Sequence, residues 1–267
     1  MAGPIIFALL IVYLLVLLLV AWRVERAGAG HQSAHRRARV YALSLAVLCS
    51  SWTYFGAAGS AMQGAWSYIP NFLGPILAIT VFFPIWRRIA VAAKRENVGS
   101  IADFLASRYG KSRGLGPLIA CVAIVGALPY IALQLTSLSK AWAVVAGQSE
   151  PPWFATPIIV ALLAFMAILL GARRPTLTHH NRGLVRIVAI ESTVKIAALL
   201  TAAGLAGALL WQRSPETLGR LFAEVGPPPA LDIPFLTATM LCMVTAVTLP
   251  RQFHLGFVEL EDTEHLR

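Results

Sequence analysis

Glu191 and Lys195 are the residues hardest to reconcile with their surroundings. Both lie in the apolar run LVRIVAIESTVKIAALLTAAGLAGALLW. Each ionised group near the centre of a membrane-crossing helix costs roughly 3 kcal/mol. Four residues apart with the acid first, they share a helix face and can pair. Intramembrane charges usually face a bundle interior. A structural ion pair, a polar cavity and snorkelling towards the surface all fit these residue types.

A second anomaly is CSSWTYFGAAGS, Cys49 to Ser60. Ser44, Ser50, Ser51, Thr53 and Ser60 bring hydroxyls into a hydrophobic run, and Gly56, Gly59 and Gly64 remove bulk. One reading is a packing seam, in which small residues let helices approach and hydroxyls bond their own helix's carbonyls. The other is a broken helix, whose freed carbonyls coordinate a cation and whose irregular backbone is tolerated only beside a cavity. On that reading Trp52 and Tyr54 are large surfaces beside the cavity, and the chain unwinds near 48–52. A third polar group sits in PYIALQLTSLSK, where Gln134, Ser137 and Lys140 fall three apart on one face. In LPRQFHLGF, Pro250 breaks a helix and Arg251, Gln252 and His254 follow.

Other chemistry has no residues to carry it. There is no nucleophile elbow, phosphate loop or zinc motif, and nothing points to a catalytic residue. His254 lacks a second ligand at metal spacing and reads as a hydrogen-bonded structural group, so no transition metal is expected. His179 and His180 read as solvated. The three cysteines, Cys49, Cys121 and Cys242, lie in apolar runs and read as small packing residues.

The elements that must position these groups follow from composition. The chain has 267 residues, 58% hydrophobic and 13% charged, too apolar for a soluble domain. The net charge of +10 does not indicate nucleic acid, because the basic residues cluster between hydrophobic runs. Seven runs are long enough to cross a bilayer: 4–22, 40–62, 67–86, 117–146, 154–171, 184–211 and 233–250. The first is too long for a signal peptide and its basic flank follows it. Segments 23–39, 87–114 and 172–186 hold five, seven and four basic residues, whereas 63–66 and 147–153 hold none and 212–232 only Arg213 and Arg220. The positive-inside rule then places the N-terminus outside and the C-terminus inside. Pro129 predicts a kink in the fourth span. Segment 212–232 ends in GPPPALDIP and cannot be helical throughout. GSIADFLASRYGKSR, 99–113, predicts a short helix against the membrane or the bundle, with Ser100 and Asp103 in a capping arrangement. The closing VELEDTEHLR reads as a polar loop without a helix, as if the chain were cut within a cytoplasmic loop.

In one order the chain carries SSWTYFGAAGSAMQGAW, SIADFLASRYGKSR, PYIALQLTSLSKAW and LPRQFHLGFVE. This series resembles the sodium/solute symporter family, and more narrowly the symporter-like sensor domains of bacterial hybrid histidine kinases. The resemblance covers nearly the whole chain. It implies an all-α membrane protein, the first half of an inverted-repeat (5+5) transporter fold. Residues 1–22 are then an extra helix, 40–211 the first five-helix repeat, and 233–267 the first helix of the second repeat with a truncated loop. It implies cation-binding backbone carbonyls at Ala46 and Cys49, and substrate-facing positions at Ser50, Ser51, Trp52 and Tyr130. Glu191 matches an acidic position, and Gln252-Phe253-His254 a Gln-Pro-His. Leu48 stands where the sodium/proline carriers have Asp, so a sodium ion, a proton or no coupling ion are all open. The function so implied is a multi-pass module of the bacterial inner membrane that binds or carries a small polar solute, such as an amino acid, as input to a kinase. ATP, the kinase domains, the second transporter half and a response regulator would all lie outside these residues. The alternatives are half of a stand-alone sodium-coupled carrier and a non-transporting scaffold.

Overall fold

The computed structural model describes residues 2–26, 34–64, 66–171, 182–213, 215–225, 227 and 229–260. Among them the chain is all-helical. His179, His180 and the end of VELEDTEHLR, from 261, lie outside the described residues. Two helices are long and apolar enough to cross a membrane unaided, α7 (Leu115–Val145) and α9 (Arg182–Trp211). The number rises to five if each of three bent pairs is one span, and Ala8–Val24 and Ala155–Leu169 are shorter apolar stretches. These lengths mark a membrane protein, and each of the seven expected spans falls on one of these helices or pairs.

The first helix, α1 (Ala2–Arg26), and α2 (Ala34–Leu45) both pack along α9. α2 runs into a short 3-10 turn at Ala46–Leu48, the helix is lost at Cys49–Ser50, and a π-helical turn at Trp52–Gly56 leads into α3 (Ala57–Gln63). The two halves meet at 58°.

The third expected span, 67–86, is two helices. α4 (Ile69–Ile79) and α5 (Phe83–Arg95) meet at 65°. Pro84 suits the first turn of a new helix, where no donor is needed. The basic residues expected beyond position 86 are therefore partly helical. Trp86, Ala90 and Ala93 form a buried stripe on α5, while Arg87, Arg88 and Arg95 stay exposed. The short helix α6 (Ile101–Arg108) has its N-terminus capped by Ser100 Oγ, which accepts from the Asp103 amide at 3.1 Å. It lies against the bundle, with Phe104 5.5 Å from the Phe253 ring.

α7 is continuous through Pro129 and packs on α8 (Ala155–Gly171). Beyond α9, residues Pro215–Val225 form α10, and the helix does not extend through the prolines that follow. α11 (Ile233–Thr248) is capped by Asp232 Oδ1, which accepts from the Phe235 amide at 2.9 Å. After Leu249 the chain turns by 54° into α12 (Pro250–Phe253) and a π-helical turn at His254–Val258. Helical structure thus resumes beyond the stop at Pro250 and carries well into LGFVE.

Two packing features fix this frame. α4 and α11 approach so closely that a Cβ at Gly74 would lie 2.6 Å from the Met243 amide nitrogen and 2.7 Å from the Thr239 carbonyl oxygen. Only glycine fits that seam. At the other site, Tyr41, Trp86, Ala90, Ile101, Phe253, Phe257 and Leu260 form the main buried core, where α2, α5, α6 and the segment 250–260 meet. Tyr41 donates its hydroxyl to the Gly256 carbonyl at 2.7 Å, tying α2 to that segment.

Candidate functional site

The interruption at Cys49–Ser50 has no proline to cause it. Cys49 is extended, with φ −70° and ψ 114°. Its amide donates back to the Ala46 carbonyl at 2.9 Å, closing the 3-10 turn. The next amides leave the helical ladder for side chains. Ser50 N–H donates to Thr53 Oγ1 at 3.1 Å, and Thr53 N–H returns to the Ser50 carbonyl at 3.0 Å. Ser51 donates twice to Gln134 Oε1 on α7, from its amide at 3.1 Å and its hydroxyl at 2.6 Å. Such side-chain acceptors offer the backbone an alternative to the helix. The Cys49 carbonyl accepts from Lys195 Nζ on α9 at 3.2 Å, and the same ammonium lies 2.7 Å from Glu191 Oε1. Side chains from α7 and α9 therefore meet the groups that the break frees.

Next to these bonds stand polar atoms with none. Gln134 Nε2, Tyr130 Oη and Gln252 Nε2 are buried and have no hydrogen-bond partner among the described residues. Leaving a buried donor unpaired costs about 1–3 kcal/mol, so such groups are rare and call for an explanation. Tyr130 lies one turn before Gln134 on α7 and carries the Arg251 guanidinium 4.7 Å from its ring centroid. Gln252 is only 4% exposed, on the α12 turn that packs against residues 46–48.

The structure thus brings Gln134 to Ser51, and Lys195 with Glu191 to Cys49, two bonded groups on either side of Ser50, with Tyr130 a turn before Gln134. Ser50 belongs to the break itself. The backbone of Trp52 lies in the π-helical turn, and its side chain is outside the described residues. The Ala46 carbonyl is engaged by the Cys49 amide. His254 instead meets Glu259, Nε2 to Oε1 at 3.2 Å.

The hydroxyls divide between the two sequence readings. Ser44, Thr136 and Ser139 bond carbonyls of their own helices, as in a seam. Ser51 and Thr53 serve the break. Two residues were not singled out by sequence. Arg251 was noted only as following Pro250. Glu259, 5% exposed, belongs to what the sequence presents as a polar tail; its signal is the apolar LGFV run before it.

Of the two carbonyls expected to bind a cation, that of Ala46 accepts the Cys49 amide and that of Cys49 accepts the Lys195 ammonium. No family model, curated protein or solved structure matches the chain.

Proposed function

We propose that this chain is the first half of a symporter-like membrane module that binds a small polar solute of the amino-acid class at the interrupted second span. The observation that carries the reading is the set of buried, unpartnered polar atoms, Gln134 Nε2, Tyr130 Oη and Gln252 Nε2, beside a helix break held open by Ser51, Gln134 and Lys195. Gln134 Nε2 and Gln252 Nε2 are donors, and Tyr130 Oη donates or accepts. Together they suit a ligand with carboxylate or carbonyl oxygens. Ser50, Ser51 and Trp52 supply the adjoining surface.

The module has its N-terminus outside, which the alternation of Arg-rich and charge-poor connections supports. It belongs to an inverted-repeat fold in a bacterial inner membrane, and it serves as the input of a sensor histidine kinase. The order of its motifs supports these last points. The solute biases the break between two arrangements, and partners beyond the chain carry that bias onward.

The test is equilibrium binding of a panel of radiolabelled amino acids to the intact protein in lipid nanodiscs. Saturable binding of at least one, lost in Gln134→Ala and weakened in Trp52→Ala without loss of membrane insertion, is expected. No saturable binding by any member, or equal affinity in Gln134→Ala, contradicts the reading.

A further inference from the structure

The half-helix that ends at Leu48 directs its last carbonyls at the break, and a helix C-terminus carries partial negative charge that favours a cation. α9 packs along this half and delivers one: the Lys195 ammonium is 3.2 Å from the Cys49 carbonyl oxygen and 2.7 Å from the Glu191 carboxylate. A backbone carbonyl and a carboxylate are the hard oxygen donors that a small monovalent ion uses. Lys195 is covalently tethered, so it needs no concentration in solution to be present. A free cation brought to the same carbonyl would face a like charge a few ångströms away.

We propose that the Lys195 ammonium is a built-in cation of the interrupted span, standing in the position of a coupling ion and making the break independent of sodium. Glu191 is its positioning residue. It holds the ammonium against the carbonyl and leaves a negative charge there once the lysine is neutralised. Leu48 agrees with this arrangement, because an apolar side chain adds no further negative charge for a second cation. Removing the lysine charge while keeping the acid therefore turns a self-sufficient site into one that recruits an ion. The inference shares the interrupted helix with the solute reading but not its ligand.

The experiment is binding of radiolabelled sodium to the intact protein in nanodiscs, without any solute. Wild type and Lys195→Arg are expected to show no saturable binding. Lys195→Met is expected to bind sodium saturably, at least about tenfold above the wild-type signal. Adding Glu191→Gln to Lys195→Met abolishes the gain. Saturable sodium binding by wild type overturns the proposal whatever the variants do. So does a Lys195→Met protein that is monodisperse and helical but stays at the wild-type level. If Lys195→Met fails to fold, Lys195→Gln is read in the same way. Because no solute is present, failure here leaves the solute-binding result standing, and the reverse.

Discussion

The interruptions at Cys49–Ser50 and at Leu249 bend their helices by similar angles, 58° and 54°, yet they are made by different means. Leu249 precedes a proline, which disfavours the helical conformation at that residue, and its ψ of 132° follows locally. The ladder recovers at once: Leu249 N–H donates to the Thr245 carbonyl at 3.1 Å and Phe253 N–H to the Leu249 carbonyl at 2.8 Å. Phe253 and Phe257 then seal the turn in the main core. Cys49 takes a similar conformation with no proline near it. Its break depends on acceptors and donors that arrive from α7 and α9, and among the described residues Gln134 Nε2 there has no partner, as Gln252 Nε2 on the second bend has none. Each bent segment also ends on a lysine, Lys195 on the Cys49 carbonyl and Lys94 on the Val258 carbonyl, both at 3.2 Å. The difference is that one bend follows from its proline and is packed into the main core, while the other has no proline and is held by side chains from α7 and α9. A break of the second kind suits a ligand-responsive site.

Three substitutions sharpen this contrast. The largest effect is expected for Phe253→Ala, which empties a position only 1% exposed and should cost about 3–5 kcal/mol. Its thermal midpoint in detergent should fall sharply, and an unchanged midpoint would show that the core does not hold the second bend. Gln134→Leu comes next. It strips the acceptor from both Ser51 donors, at a cost of about 1–3 kcal/mol. Hydrogen exchange should accelerate at Ser50–Thr53 and stay unchanged at 250–258; uniform acceleration would mean the two interruptions are not independent. The smallest effect is expected for Pro250→Ala, below about 1 kcal/mol, because the first turn of a helix needs no amide donor and the aromatic core keeps the bend. A loss as large as that of Phe253→Ala would put the second bend on the proline alone.

Much of the frame was legible in the sequence. Apolar length located the spans, and Ser-Ser-Trp-Thr among small residues marked the stretch where the second one breaks. Ser100 and Asp103 marked the cap of α6. Other features depended on contacts that no local pattern encodes. Ser51 and Gln134 are 83 residues apart, and Cys49 and Lys195 are 146 apart. Glu191 and Lys195 could be paired from their spacing, but nothing local says that the ammonium also reaches a backbone oxygen on another helix. α5 was different, since Trp86, Ala90 and Ala93 already have helical spacing. The arginines among them also fit a connecting loop. Glu259 was obscured in the same way by the acidic residues that follow it.

The most direct measurement is a cryo-electron microscopy map of the intact protein at side-chain resolution. The account predicts extended backbone at Cys49–Ser50, Gln134 bonded to Ser51, and Lys195 on the Cys49 carbonyl. An unbroken α-helix from Leu43 to Ala61, with its serines turned into neighbouring helices, would contradict it.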